Sequence, residues 1–358
     1  MSPRVSIIIL NWNGWRDTVE CLESVYQIDY PNYDVIVVDN GSNDDSIKRI
    51  KEYCAGKIRV ESKFFEYDPT NKPIRVFDID EEEARTCKFN KKLYEKYNIR
   101  KRLILIKNKK NYGFTGGNNI AMKFAMNVLD PKYVLLLNND TVVDKNFLSE
   151  LVKVAESDPK IGIVQSKILR KDNPRIIDST GIFIKFGRHI TRGLNEIDNG
   201  QYDHAVKIEA ASGTSCLFRC KMLKNIGLFE EDFFAYHEDT EISLRARKNS
   251  WKIRFAPTSL VYHKGHATSK IDSKYLLNNF SYRLMIKSWR NLMITINKHC
   301  NFIQRFLFWL CFLKTMIMSW IGKKLGRNNI GAMPYIEAFR EFLKYRKRVG
   351  DTNDGRFV

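Results

Sequence analysis

Apolar residues come in short runs at 5–10, 33–38, 103–106 and 133–138, interrupted only by Ser6 and Asp34, and three of the runs close on a polar residue, Asn11, Asp39 or Asn138. A run of this length bounded by turn formers reads as a strand buried on both faces, as in a parallel sheet. Helical periodicity and capping residues place helices at about 15–27, from the caps at 43–45 to about 53, at 120–129 and at 145–157. The alternation predicts an α/β fold with a Rossmann-like, mostly parallel sheet flanked by helices. Residues 57–102 break it, with an acidic knot at 78–83, and are read as an insertion carrying some helix. Further strands are expected at 161–169, 182–186, 215–218, 252–255 and 260–263, a helix from about Asp239, and a helical tail beyond 281 broken near 326–334.

In open α/β sheets ligands bind beyond the carboxyl ends of the strands, so three polar endings make a candidate rim. Taken alone, Asn138-Asn139-Asp140 is equally a turn or the cap of the next helix.

Composition adds a direction. The 358 residues suffice for one domain over about 1–270 and a basic, amphipathic helical extension over 271–358. The chain carries a formal charge of +19, and residues 270–358, with 17 Lys and Arg against 5 Asp and Glu, contribute +12 of it. Because these charges alternate with large aromatic and aliphatic residues, an anionic membrane surface met by residues of about 280–348 is the expected partner, and nucleic acid is not. The most apolar window, 302–321, contains Arg305 and Lys314. Each costs about 2.5–3.5 kcal/mol at a bilayer centre, so a helix lying on the membrane or packed on the domain is favoured over a span. Seven scattered cysteines, with only Cys216 and Cys220 close in sequence, read as reduced thiols. The apolar run after Met1-Ser-Pro-Arg4 is too short for a secretory signal. The expected location is the cytoplasm, peripherally at the inner face of the cell membrane.

The candidate chemistry is that of a nucleotide site with neither a P-loop nor a dinucleotide fingerprint. Asp39 can accept a hydrogen bond from a pyrimidine imide N–H. Gly113, Gly116 and Gly117 allow close backbone approach to a ligand or, alternatively, tight packing of a helix on a strand.

Five ordered segments carry a resemblance: Asn11-Trp12-Asn13-Gly14; Asp39-Asn40-Gly41-Ser42; Asn111-Tyr112-Gly113 through Gly117-Asn118; Asn138-Asn139-Asp140; and Glu238-Asp239 with Glu241 and Arg245 after the aromatic run 233–236. Together they resemble family 2 glycosyltransferases of the GT-A fold, in the rhamnosyltransferase-like branch, over about residues 5–270. The resemblance implies a nucleotide-sugar donor, with deoxythymidine diphosphate rhamnose first and a uridine diphosphate sugar second. The acceptor it implies is a glycan or a lipid-linked molecule. Asn11, Asn13 and Asp39 match positions that cradle base and ribose, and Asn111, Gly113, Gly117 and Asn118 match a loop against the nucleotide. Gly213, in Ser212-Gly213-Thr214, matches a small-residue loop near the donor sugar. Asn138-Asn139-Asp140 stands where the family has Asp-x-Asp, which presents Mn²⁺ or Mg²⁺ to the diphosphate. With one carboxylate instead of two, either metal affinity is lower or Asp140 needs a further ligand, for which His263 matches a position; His266 is a weaker candidate. A histidine at a strand end is otherwise a hydrogen-bonded core or surface residue.

Transfer also requires a base for the acceptor hydroxyl. Asp239 matches the family's general base, with Glu238 beside it, and a single base opposite the leaving group implies inversion. Without the resemblance the pair reads as a helix cap. Arg245 and Arg247 either meet the diphosphate or form a solvated helix face. Two rivals stand beside this reading: a catalytically silent membrane-associated scaffold, favoured by the missing carboxylate, and a nucleotidyltransferase, disfavoured because Asn11-Trp12-Asn13-Gly14 is not its Gly-rich, basic loop.

Overall fold

The computed structural model describes residues 2–185, 188–265, 279–326 and 331–350; His266 and the expected domain boundary at 270 lie outside them. The first half runs β1 (Val5–Asn11), α1 (Trp15–Val25), β2 (Tyr33–Asp39), α2 (Ser46–Cys54), β3 (Arg75–Asp80), α3 (Glu81–Thr86), α4 (Lys91–Glu95), β4 (Arg102–Lys107), α5 (Gly113–Phe124) and β5 (Tyr133–Asn138). Then follow β6 (Thr141–Val143), α6 (Phe147–Glu156), β7 (Ile161–Arg170), β8 (Ile177–Ser179), β9 (Ile182–Lys185), β10 (Arg188–Thr191), β11 (Ser215–Arg219) and α7 (Cys220–Ile226). The chain closes with α8 (Glu238–Lys248), β12 (Lys252–His263), α9 (Asn279–His299), α10 (Phe302–Lys324) and α11 (Met333–Gly350).

One sheet carries the order β3-β4-β2-β1-β5-β11-β7-β12-β6, with β8 on β7. Its first five strands are parallel, and β11 runs antiparallel to β5. The apolar runs of β1, β2, β4 and β5 sit at the middle of this half because both faces are covered, by one buried cluster with α1, α2 and α6 and by another with α5 and α7. Register brings Asn11 opposite Asp39 and Leu10 opposite Asn138, so the polar endings line one edge.

Three expectations are refined. Residues 57–102 contribute β3, an edge strand paired in parallel with β4, as well as helices. The helix expected from residue 120 begins at Gly113, so the glycine-rich stretch is its first turns. Asn111 Oδ1 accepts from the Gly113 N–H at 2.7 Å, and Gly113 takes φ +71 to enter the helix. The strands expected at 252–255 and 260–263 are one strand, β12, whose pairing with β7 skips between Ala256 and Leu260 around Pro257.

In the extension, α9 and α11 share a buried cluster with Phe233 and Leu244 of the sheet domain. α10 gives that cluster Phe308 and Phe312 and leaves Phe302, Phe306, Leu310, Leu313, Ile317 and Trp320 on its outer face. Among the described residues it is the one helix long and apolar enough to cross a membrane, by length and composition. The seven cysteines are free thiols.

Candidate active site

At the rim of β1 and β2, Asn11 and Asp39 are buried and bonded to each other: Asn11 Nδ2 donates to Asp39 Oδ1 at 2.8 Å. Asn11 Oδ1 accepts from Thr18 Oγ1, and Asp39 Oδ2 accepts from the Ser42 N–H. Asn11 thus fixes the carboxylate of Asp39. Asn13 sits in the left-handed region at φ 52 and takes the Asn43 N–H on its Oδ1, tying the two strand-end loops together.

Asn40, to which the sequence assigns no role, is the hub of the next layer. Its Nδ2 donates to Asn111 Oδ1 and to the Gly113 carbonyl, and its Oδ1 accepts from Asn108 Nδ2, all at 3.0 Å. Gly117 packs on this hub: a Cβ there would lie 2.6 Å from a Leu10 methyl. Its lack of a side chain serves helix-on-strand packing. The Asn118 amide bonds back to the Phe114 carbonyl within α5. From the former insertion, Glu81 accepts from the Lys109 N–H and the Tyr112 hydroxyl, bracing the same loop.

The segment 138–140 lies half-buried between β5 and β6. Asn139 Nδ2 donates to Thr18 Oγ1 at 3.0 Å, facing α1. Asp140 faces β12: His263 Nε2 stands 3.3 Å from Asp140 Oδ1, while His263 Nδ1 lies 2.8 Å from Asp178 Oδ2. Burial works against charge on both partners, but their pairing outweighs it. The two carboxylates push His263 up to about 10, and His263 holds the Asp140 carboxyl below its ordinary value. Asp178, on three-residue β8, was missed by sequence reasoning, and no motif marks it.

Asp140 Oδ1 and His263 Nε2 are an oxygen and an imidazole donor at a separation that suits neighbouring positions on one small cation with ligands about 2.1 Å away. Among the described residues no three His, Cys, Asp or Glu side chains gather into a metal cage.

The loop before β11 joins two distant parts of the chain. The Asn138 N–H donates to the Thr214 carbonyl at 2.9 Å, and the Gly213 N–H donates to Asp239 Oδ2 at 3.0 Å. Asp239, partly exposed at the start of α8, also receives the Thr240 N–H on Oδ1 at 2.6 Å. Its neighbour Glu238 is buried, with no hydrogen-bond partner for Oε2 among the described residues. Burial, aided by the charge of Asp239, pushes the Glu238 carboxyl up to about 8. Arg245 points away from the rim: it donates to the carbonyls of Ile226 and Leu228 and pairs with buried Glu241 at 2.7 Å. It is a strut of α8. Arg247 lies 4.0 Å from Glu209.

Known proteins match this sequence and fold. A family model described as "Glycosyltransferase like family 2" matches residues 73–279, and one described as "Glycosyl transferase family 2" matches residues 6–68. The low-salt glycan biosynthesis hexosyltransferase Agl10 of Haloferax volcanii is 27% identical over 143 residues, 40% of this chain and 46% of that protein. The poly-β-1,6-N-acetyl-D-glucosamine synthase of Staphylococcus epidermidis is 20% identical over 258 residues, 72% of this chain and 49% of that one. The chain thus spans about half the length of these curated relatives. Among solved structures, the mannosyltransferase PcManGT from Pyrobaculum calidifontis in complex with GDP-Man and Mn²⁺ superposes with a TM-score of 0.52 at 14% identity, covering 96% of this chain and 88% of that one. Residues 1–349 of TarS from S. aureus in complex with UDP-GlcNAc superpose with a TM-score of 0.52 at 17% identity, covering 95% and 81%. The fold is of the GT-A type. The chain belongs to glycosyltransferase family 2.

Proposed function

We propose that the protein is an inverting glycosyltransferase that moves a sugar from a nucleoside-diphosphate donor to a glycan or lipid-linked acceptor at the cytoplasmic face of a membrane. The observation that carries this reading is the 212–214 loop, which bonds on one side to Asn138 in the segment ending at Asp140 and on the other to Asp239. The loop of small residues thereby links the segment read as the diphosphate station to the carboxylate read as the base.

Asp39, fixed by Asn11 and the Ser42 N–H, is turned to the base of the nucleotide. Asn111, Gly113 and Asn118 shape the wall beside it. Asp140 and His263 hold Mn²⁺ or Mg²⁺; when bound, the ion supplies Lewis-acid stabilisation of the charge that develops on the departing diphosphate. Asp178 accepts from His263 Nδ1–H, so that a cation displacing the proton on Nε2 would meet the lone pair of that nitrogen. Asp239 takes the acceptor hydroxyl's proton as that oxygen attacks the anomeric carbon from the side opposite the leaving group, which inverts the configuration. The Gly213 and Thr240 N–H groups hold both carboxylate oxygens of Asp239, and this fixes its aim.

The outer stripe of α10 recurs every three or four residues, with Arg305, Lys314, Lys323 and Lys324 along the same helix. An apolar stripe with basic flanks suits an anionic bilayer surface. Deoxythymidine diphosphate rhamnose and a uridine diphosphate sugar are the donors to test first. A panel of nucleotide sugars assayed with Mn²⁺, with and without EDTA, tests the reading. Transfer that EDTA stops supports it, and transfer that survives EDTA removes the metal role of Asp140 and His263.

A further inference from the structure

The segment 233–237 leads into Glu238 and Asp239 through backbone conformations that residues with side chains avoid. Phe234, Tyr236 and His237 have φ of 59, 72 and 65. At Phe234 ψ is −62, and the Ala235 N–H donates to the Phe233 carbonyl at 2.6 Å, which makes a γ-turn of the rare, positive-φ kind. Such conformations persist only where the surroundings over-determine them.

Two helices do so here. From α5, the Thr115 N–H donates to the Phe234 carbonyl at 3.1 Å. From α9, Asn291 Nδ2 donates to the carbonyls of Phe233, Ala235 and Tyr236 at 2.9, 3.0 and 3.0 Å. Ser288 Oγ, also on α9, lies 3.2 Å from His237 Nε2, and Arg290 donates to the Asp232 carbonyl at 3.0 Å. Asn291 is fully buried, and its Oδ1 has no partner among the described residues. A buried, unpaired amide oxygen carries a cost that a leucine would avoid. Packing therefore does not account for an amide at this place, whereas three converging carbonyls do.

We infer that Asn291 is a positioning residue for sugar transfer: from the C-terminal extension it sets the loop that aims Asp239. The inference rests on the reading of Asp239 as base. It gives α9 a part in aiming the base, with Asn291 as the side chain that gathers the loop's carbonyls. Asn291→Asp keeps the shape and removes the donor; Ser288→Ala is the milder variant.

The test measures kcat, the Kd for the nucleoside diphosphate, and hydrogen exchange over residues 230–240. Asn291→Asp is expected to lower kcat by about 10- to 100-fold. The nucleotide Kd stays within about twofold, and faster exchange is confined to the loop. Unchanged kcat and loop exchange overturn the inference, as does a matching loss of nucleotide affinity in a variant that still folds, which marks a merely structural residue. Should the Asp variant fail to fold, Ser288→Ala decides: a several-fold fall in kcat at unchanged nucleotide Kd supports the inference, and unchanged kcat overturns it. A wild type that transfers no sugar overturns the reading of the site, and this inference with it. An active wild type beside an equally active Asn291→Asp overturns this inference alone.

Discussion

Asp178 lies 2.8 Å from His263 Nδ1, and the other ring nitrogen of that histidine faces Asp140 at 3.3 Å. A carboxylate behind an imidazole fixes which nitrogen keeps the proton and raises the donor strength of the other. Replacing Asp178 by Ala is expected to weaken Mn²⁺ binding by about 10- to 100-fold, read by electron paramagnetic resonance in the presence of nucleoside diphosphate. Asp178→Asn still accepts from Nδ1–H and loses less. Equal Mn²⁺ affinity in wild type and Asp178→Ala would remove Asp178 from the account.

Glu238 provides a pH signature in stability. Its carboxyl is raised from 4.5 to about 8 by burial and by Asp239. Between those values the unfolded chain has released this proton while the folded chain keeps it, so this residue's contribution to stability falls as pH rises. Below the window both states are protonated, and above it both are ionised. Glu238→Gln should therefore flatten the decline of Tm between pH 5 and pH 8 (about the window set by these values). An unchanged slope would mean that Glu238 is ionised throughout.

The tail can be tested without removing it. Because α9 and α11 share a buried cluster with Phe233 and Leu244, deletion of residues beyond about 280 is expected to give insoluble protein. Serine at Phe306, Leu313 and Ile317, all exposed on α10, leaves that cluster intact. Such a variant should keep its Tm and lose cosedimentation with anionic vesicles by about tenfold or more. Retained vesicle binding would point away from α10 as the contact.

The central strands were legible because burial on both faces writes itself as a nearly continuous apolar run; β1, β2, β4 and β5 needed no other signal. β3 was not, since only Ile79 of its six residues is buried and an edge strand has no such run. The start of α5 was hidden because glycines are punctuation in a sequence, whereas Gly117 sits inside the helix to admit Leu10. Two strands were expected where β12 is continuous, because its pairing with β7 shifts register between Ala256 and Leu260. In the candidate site, strand ends and motifs are what the sequence offers for naming residues. Asp178 and Asn291 could not, because each works through a contact with a residue 55 or more positions away, as Asn291 does with Tyr236.

The central claim is that Asp239, held by Gly213 and Thr240, removes the acceptor proton. The direct measurement is sugar transfer by Asp239→Asn, beside its affinity for the donor nucleotide. The account predicts that turnover falls by about 10²- to 10⁴-fold while nucleotide affinity is unchanged. Comparable turnover in Asp239→Asn would contradict it.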